Sequence, residues 1–191
     1  MSDFTCQCEE QFRSACATLP FYAQHEGRQY CVLHFPGKEK EADFQKAVHK
    51  KLQDQDFDFA GVHFPGYLDF ESFEFGSEVN FSKATFWDTV FFFGAKFKKE
   101  ANFNEATFEE VDFSGADFEE ETNFNGANFG GWASFPGATF KQTTHFIRAA
   151  FKEHAGLNGA EFEGEANFYH ASFDEDADFT GATFEQKAAF A

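Results

Sequence analysis

One apolar residue type returns at a nearly fixed interval along most of the chain. From Phe59 to Phe190 a large apolar residue recurs every five or six residues, and 24 of these 25 positions are Phe, with Leu157 as the exception. Ala occupies 16 of the 25 positions that lie two residues earlier. Because a repeat of fixed period determines architecture, it decides how the rest of the sequence is interpreted.

The interval excludes both a helix and a straight strand. Five residues advance an α-helix by about 500°, so consecutive Phe side chains would point about 140° apart. The combined period of eleven residues matches the hendecad of a right-handed coiled coil, but Gly, Asn and Thr occur where good helix formers are expected. In a straight strand, a step of five residues places alternate Phe side chains on opposite faces. The chain therefore turns between consecutive Phe residues.

Short segments joined by corners satisfy the pattern. Within each segment the small residue and the Phe two positions later share a face, which we expect to point inward. The residues between segments, such as Asn125-Gly126 and Thr180-Gly181, are polar and Gly-rich, as in turns. Four sides close a square coil of about 22 residues, so the span from Phe59 to Phe190 predicts about six coils around stacked Phe rings. At roughly 4.8 Å per coil, the rod is on the order of 30 Å long.

The repeat units resemble a known family. Segments such as Ala101-Asn102-Phe103-Asn104-Glu105 and Ala127-Asn128-Phe129 are similar to the pentapeptide-repeat motif A(D/N)Lxx in its Phe-centred variant. The resemblance covers roughly residues 57–191 and implies an all-β repeat solenoid, a right-handed quadrilateral β-helix. The alternating five- and six-residue step departs from the plain motif and predicts wider corners on two opposite edges of the square. Three consecutive steps of five, from Phe103 to Phe118, indicate a single-residue deletion.

Residues 1–56 differ from the repeats and predict two further units. Residues 38–56 contain the one good helix candidate, in which Phe44, Val48 and Leu52 share a face and Lys51 lies outside it. A β-helix needs its first coil covered, because an open end exposes apolar rings and unpaired backbone groups. We therefore predict a Cys/His-rich segment over 1–37, a capping α-helix over 38–56 and the solenoid over 57–191.

The Cys/His segment contains all four cysteines of the chain. Cys31 and His34 have the spacing of one half of a zinc site, and Cys6, Cys8 and Cys16 offer the other half. Four of these five residues would hold a structural Zn²⁺, with Cys6 or Cys8 as the spare, and the ion would contribute directly to folding so short a segment. Reduced cysteines packed as small apolar groups are the alternative. The segment also resembles short Cys/His modules that precede some bacterial pentapeptide-repeat domains.

Negative charge is concentrated in the predicted solenoid. The chain carries a net charge of −18, and residues 57–191 account for −16 of it, with 24 acidic and eight basic residues. Such a field repels nucleic acid and attracts a protein partner with a basic surface, while a purely solubilising role is the alternative. The sequence contains no apolar run long enough to span a membrane, and its first ten residues lack the features of a signal peptide. We therefore predict no membrane association and a cytoplasmic location.

Aromatic residues outside the inward pattern are candidate interaction residues. Trp87, Phe91 and Phe93 do not fall on the repeated positions, and Trp132 shares an edge of the square with Trp87 and Tyr67. Exposed aromatic patches often mark protein interfaces, and sideways packing on the cap or on a neighbouring corner is the alternative. Two acidic clusters at wide corners complete the candidate set: Glu119, Glu120, Glu121, Asp174, Glu175 and Asp176.

The sequence presents no recognisable catalytic constellation. It contains no P-loop, no GxGxxG that opens a helix and no GxSxG. We therefore predict a non-enzymatic protein–protein interaction or scaffold module. Two alternatives stay open: a DNA mimic that binds a basic nucleic-acid-binding partner such as a DNA topoisomerase, as some proteins similar in fold do, and a zinc-organised adaptor. The chain stops within the repeat at Phe190-Ala191, so we expect the last coil to be exposed, truncated or paired with a second copy in a homodimer.

Overall fold

Three parts follow one another in the computed structural model, which describes residues 4–190. Residues 1–3 and 191, the outermost residues of the predicted Cys/His segment and solenoid, lie outside the described residues. The first part contains a 3₁₀ helix, Glu10–Cys16, and an antiparallel hairpin of β1 (Ala23–His25) and β2 (Arg28–Tyr30). The second part is helix α1, Glu41–Gln53. Neither helix of the described chain is long and apolar enough to cross a membrane.

The third part is a parallel β-solenoid built from very short strands. In chain order these are β3 (His63–Phe64), β4 (Leu68–Asp69), β5 (Glu74–Phe75), β6 (Val79–Asn80), β7 (Thr85–Phe91), β8 (Lys96–Phe97), β9 (Ala101–Asn102), β10 (Thr107–Asp112), β11 (Asp117–Phe118), β12 (Thr122–Asn123), β13 (Asn128–Phe129), β14 (Ala133–Ser134), β15 (Thr139–Phe140), β16 (Thr144–His145), β17 (Ala150–Phe151), β18 (Ala155–Gly156), β19 (Glu161–Phe162), β20 (Ala166–Phe168), β21 (Ser172–Phe173), β22 (Ala177–Asp178), β23 (Thr183–Phe184) and β24 (Ala188–Phe190).

The strands form four parallel ladders, one on each side of the coil. Ladder 1 contains β3, β13, β17, β21 and the first parts of β7 and β10, whereas ladder 2 contains β4, β14, β18, β22 and the second parts of β7 and β10. Ladder 3 contains β5, β8, β11, β15, β19 and β23, and ladder 4 contains β6, β9, β12, β16, β20 and β24. Each coil contributes to every ladder, which confirms the predicted four-sided solenoid of about six coils.

The narrow corners are tight turns of one geometry. They lie between ladders 2 and 3 and between ladders 4 and 1, and their second corner residue has a positive φ, as at Gly137 with 61°. The N–H of Ala138 then donates to the carbonyl of Phe135 at 3.0 Å, which is the hydrogen bond of a type II turn. Before such a corner, the side-chain oxygen of Asn123 accepts from the N–H of Asn125 at 2.9 Å. This local bond explains why Asn and Asp so often precede the Phe of a repeat.

The wide corners lie on two opposite edges, between ladders 1 and 2 and between ladders 3 and 4, as predicted. The single-residue deletion falls on the first of these edges, where the register shifts between Phe108 and Glu110. In the next coil, Gly130 and Gly131 face this shortened corner. A Cβ on Gly131 would lie 2.4 Å from the carbonyl oxygen of Glu109. The two glycines therefore let adjacent coils of unequal length stack at this point.

Four columns of stacked Phe rings fill the interior. In the column of ladder 1, the ring centroids of Phe86 and Phe108 lie 4.9 Å apart with 5° between the ring planes. Rings of neighbouring columns meet edge to face, as Phe103 and Phe113 do at 5.4 Å and 78°. The column of ladder 2 has Leu157 in place of one ring. Both ring geometries are favourable for aromatic pairs, so one residue type can fill a square cross-section coil after coil.

Helix α1 packs on the first coil, as predicted, with two differences from the prediction. It begins at Glu41 rather than at residue 38, and the ring of Phe44 meets that of Phe64 edge to face at 5.4 Å. Lys51 was expected outside the apolar face, but it is buried. Its Nζ pairs with Asp56 at 2.5 Å and lies 5.5 Å from the ring centre of Phe59. The aliphatic stem of a lysine can cover apolar surface while its charge stays paired.

The last coil is more open than the coils before it. Phe190 is 53% exposed, and Phe173, Phe179 and Phe184 are only partly buried. Pairing with a second copy in a homodimer stays a prediction.

The glycine beside the shortened corner provides a test of this packing. Gly131→Ala should lower the free energy of unfolding by about 1 to 3 kcal/mol, because the new methyl group meets the backbone of Glu109 and forces the coils apart. Urea unfolding monitored by circular dichroism measures the change. Gly76→Ala is the matched control, since a Cβ there meets no atom within 4 Å. Equal stability of the two variants would contradict the assigned position of the deletion.

Candidate metal centre and acidic side

The five predicted ligand residues lie together at the N-terminal end of the rod. Cys6 and Cys8 precede the 3₁₀ helix, Cys16 is its last residue, and Cys31 and His34 lie in the turn after β2. The ligand atoms of Cys6, Cys8, Cys16 and His34 all lie within 4.8 Å of one another. Cys31 joins them through its Sγ, which lies 3.4 Å from Nδ1 of His34. The cluster is therefore close enough to bind a metal ion. All four cysteines are free thiols, so each of them is available as a ligand.

Backbone hydrogen bonds position the segments that carry these donors. The N–H of Gln7 donates to the carbonyl of Gln29 at 2.8 Å, which ties the first segment to the hairpin. The N–H of Phe35 donates to the carbonyl of Cys31 at 3.0 Å and closes a turn that brings Cys31 and His34 together. In addition, the N–H of Cys31 donates to Sγ of Cys6 at 3.3 Å. Such a donor favours the thiolate form that a metal ligand requires.

His34 connects the donor cluster to the solenoid. Its Nε2 lies 2.9 Å from the carbonyl oxygen of Ala60 in the first coil. A carbonyl can only accept, so in the neutral ring Nε2 carries the hydrogen and Nδ1 is free to coordinate. The neighbouring residue adds a second link, because the carbonyl of Leu33 accepts from the N–H of His63 at 3.1 Å. The cluster is therefore attached directly to the first coil.

The electrostatics of the cluster favour a positive charge among the thiols. Hydrogen bonds from Cys16, Cys31 and Cys8 lower the pKa of Cys6 well below its usual range. Contacts with Cys31 and Cys6 raise the pKa of Cys16. Burial acts most strongly on His34 and lowers its pKa, but hydrogen bonds to Cys31, Cys6 and Cys8 outweigh it and raise the pKa to about 12. A metal ion among these donors would replace the proton on Nδ1, so that His34 would bind it as the neutral ring.

Lys40 is a residue of this site that the sequence did not reveal. It is 1% exposed, and its Nζ donates to the carbonyl of Leu33 at 2.8 Å. Burial lowers the pKa of Lys40 to about 7, while negative charge on Cys31 opposes the shift. A buried ammonium group needs a counter-charge, which a cluster of thiolates would supply. In the sequence Lys40 belongs to a run of charged residues that is typical of a solvated loop, so no signal marked it.

One side of the rod carries acidic residues almost without bases. We call it the acidic side and define it as the wide corner between ladders 1 and 2, the outward residues of ladder 2 and the narrow corner that follows. It holds eleven acidic residues and one basic residue, Lys152. Ladder 3 with the other wide corner also holds eleven acids, but five bases accompany them. The acids of the acidic side are Asp69, Glu71, Asp88, Glu109, Glu110, Asp112, Glu153, Asp174, Glu175, Asp176 and Asp178.

The structure separates the two predicted acidic clusters. Glu119 lies on the opposite wide corner, where it pairs with Lys98 at 2.5 Å and with Lys141 at 3.8 Å. The hydrogen bond from Lys98 is the main reason why the pKa of Glu119 is lowered. Asp174 lies on the acidic side and pairs with Lys152 at 3.0 Å. The remaining members of the two clusters are exposed: Glu120, Glu121, Glu175 and Asp176.

Four of the seven exposed aromatic residues of the described chain lie on the acidic side, and the other three, Phe21, Tyr169 and Phe190, lie elsewhere. Tyr67, Trp87, Phe93 and Trp132 are between 39% and 65% exposed, and the ring of Phe91 packs against that of Tyr67 at 5.5 Å. The register of ladder 2 places Tyr67, Trp87 and Trp132 on one edge, as expected. These four aromatic residues thus share one surface with the carboxylates that have the fewest basic residues near them.

Trp87 marks the place where the acidic side meets the N-terminal part. Its ring stacks on His63 with centroids 6.5 Å apart, and Nζ of Lys38 lies 5.2 Å from its centre. Trp87 is therefore partly packed on the residues beside it. Trp132 is more exposed and has His154 against its edge at 6.3 Å.

Comparison with known proteins agrees with the four-sided solenoid. A family described as "Pentapeptide repeats" matches residues 92–139, 103–150 and 146–191, which together span more than half of the chain. The chain belongs to the pentapeptide-repeat family. The resemblance read from the repeats is thereby confirmed, and the Cys/His segment and α1 precede the matched part of this pentapeptide-repeat protein. No curated protein and no solved structure matches the chain.

Proposed function

We propose that this pentapeptide-repeat protein is a non-enzymatic protein-interaction module that binds a basic polypeptide along its acidic side. The observation that carries the proposal is the coincidence of eleven acids, one base and four exposed aromatic rings on one side of the rod. The exposed carboxylates of this side suit binding better than catalysis, because catalytic acid–base groups require fixed positions in a closed site.

Both kinds of side chain recognise the same partner chemistry. Lys and Arg pair with carboxylates, and they also bind the faces of Trp and Tyr rings, with about 0.5 to 1 kcal/mol per exposed cation–π contact. Each contact is weak at the surface, so affinity would come from many of them along the rod. Salt screens such contacts, and we expect binding to weaken as ionic strength rises.

Mimicry of DNA is the second candidate function, favoured by the length of the acidic side from Asp69 to Asp178. A basic nucleic-acid-binding protein such as a DNA topoisomerase would then be the partner. The exposed Trp rings favour the first candidate, because a DNA backbone offers no aromatic surface for such a partner to recognise. In the mimicry case, duplex DNA and this protein would compete for the same site on the partner.

We also propose that the Cys/His cluster holds a structural Zn²⁺ ion. Thiolate and imidazole donors in a compact cluster are the set that zinc prefers. His34 fits this role, since its Nε2 hydrogen bond to Ala60 leaves Nδ1 for the metal. The ion would contribute folding free energy to a segment with little apolar core.

Intrinsic fluorescence tests the proposed docking surface, because both tryptophans of the chain, Trp87 and Trp132, lie on the acidic side. Titration with a short Arg/Lys-rich peptide should change their emission, and an uncharged peptide of equal length should not. Trp132→Ala should weaken binding about three- to fivefold through the lost cation–π contact. Glu109→Gln should weaken it by up to about fivefold.

Glu165→Gln is the matched control for Glu109→Gln, because it removes the same charge from the opposite wide corner. It should leave the affinity nearly unchanged. Equal losses in the two variants would show that net charge alone attracts the peptide and would exclude a defined acidic side.

Metal analysis tests the zinc proposal. Chain purified under reducing conditions should contain one Zn²⁺ per molecule by inductively coupled plasma mass spectrometry. Cys16→Ser and His34→Ala should lose the ion, because each removes a donor from the cluster. His25→Ala is the control, since His25 lies exposed on β1 and outside the cluster. Zinc-free wild-type protein that stays zinc-free after addition of Zn²⁺ would refute the proposal.

A further inference from the structure

The cluster contains one more donor than a tetrahedral ion can use. We infer that Cys8 is the surplus thiol and that its oxidation by a peroxide expels the metal from Cys6, Cys16, Cys31 and His34. This inference rests on the zinc site proposed above and adds a redox control to it.

The four donors that all lie within 4.8 Å of one another include Cys8 and not Cys31, but Cys31 has the spacing of a metal ligand relative to His34 and can replace Cys8. Zn–S and Zn–N bonds of about 2.3 and 2.0 to 2.1 Å place two tetrahedral ligand atoms roughly 3.6 Å apart. Sγ of Cys31 and Nδ1 of His34 are 3.4 Å apart. The backbone of Cys31 also donates to Sγ of Cys6, and Cys31 is fully buried. It is therefore held in place by the other donors and is closed to solvent.

Cys8 differs from the other three cysteines in its access to solvent. Cys6, Cys16 and Cys31 are buried, whereas Cys8 is partly exposed. It lines an open cavity of about 240 Å³ together with Arg28, Lys83 and His63. The cavity gives a small oxidant access to Cys8, and accessible thiols are the ones that oxidise first.

The thiols that could form a disulfide with oxidised Cys8 lie close to it. Sγ of Cys8 lies within 4.8 Å of the sulfur atoms of Cys6 and Cys16, so these two thiols are the candidate partners of Cys8 in a disulfide. Cys6 and Cys8 share a short segment that precedes the 3₁₀ helix. No strand of the solenoid ladders includes this segment.

The oxidation proceeds in two balanced steps. The thiolate of Cys8 attacks hydrogen peroxide, the O–O bond breaks, and a sulfenic acid and hydroxide form. The thiolate of Cys6 or Cys16 then attacks the sulfenic sulfur, a disulfide forms, and a second hydroxide leaves. Both hydroxides take protons from solvent, so two thiols and one peroxide give one disulfide and two waters.

Loss of one ligand thiolate to the disulfide leaves three donors and releases the ion. The folding free energy that the metal supplied to the N-terminal part is then lost. Because His34 links the cluster to Ala60 of the first coil, we expect the loosened segment to expose the N-terminal end of the solenoid. Oxidation would thus uncover the first coil of the solenoid.

Zinc release on oxidation tests the inference with the full, zinc-loaded chain. Hydrogen peroxide should release zinc, detected with a colorimetric chelator, and mass spectrometry should find Cys8 in a disulfide with Cys6 or Cys16. Cys8→Ser should still bind one Zn²⁺ per chain and should release it at least about tenfold more slowly. Cys31→Ser should fail to bind the ion, because it removes a true ligand.

The outcomes separate this inference from the zinc proposal. Wild-type protein that binds no zinc refutes both. If zinc-loaded Cys8→Ser releases the ion at the wild-type rate, the redox inference alone is overturned. The same holds if the disulfide that forms in the wild-type chain does not include Cys8. Loss of zinc binding in Cys8→Ser would show that Cys8 is a ligand, and this result would also overturn the redox inference.

Discussion

Stacking of Phe rings from one coil onto the next is the interaction on which this protein depends. Parallel rings repeat along each column at close to the spacing of the β-ladders, as Phe118 and Phe140 do at 4.8 Å. Each stacked pair contributes about 0.5 to 1.5 kcal/mol beyond the burial of its apolar surface. Edge-to-face contacts between columns lock the four sides together, as between Phe124 and Phe135 at 5.8 Å. The backbone ladders and the ring columns thus enforce the same register.

A core this uniform leaves little room for specificity, which falls to the outer residues and to the N-terminal part. The wide corners tolerate varied side chains because they face water, and on one edge they bring Trp87, Trp132 and a nearly unopposed row of acids together. The first coil carries the other distinctive feature, since the donor cluster contacts it through His34 and Ala60. A basic partner and a metal ion would therefore act at different parts of one rigid rod.

The fold could be predicted from the sequence because its period is visible residue by residue. The four sides, the wide and narrow corners, the deletion after Phe103 and the convergence of Cys and His residues all followed from spacing. The difference in basic residues between the two sides of the rod did not follow from spacing, because it depends on which corners of successive coils lie above one another. Ion pairs such as that of Lys98 with Glu119 likewise depend on how successive coils are aligned. Lys40 and Lys51 were missed for a related reason: burial of a lysine depends on tertiary contacts that no local pattern encodes.

The position in the ladder 2 column where Leu replaces Phe gives the most direct test of the claim that stacked rings stabilise the fold. Leu157 is fully buried where every other coil of that column places Phe. The free energy of unfolding in urea should rise by about 1 kcal/mol in Leu157→Phe, which completes the column, and fall by a similar amount in Phe135→Leu, which breaks it again. A destabilised Leu157→Phe together with an unaffected Phe135→Leu would contradict the central role of the stacked rings.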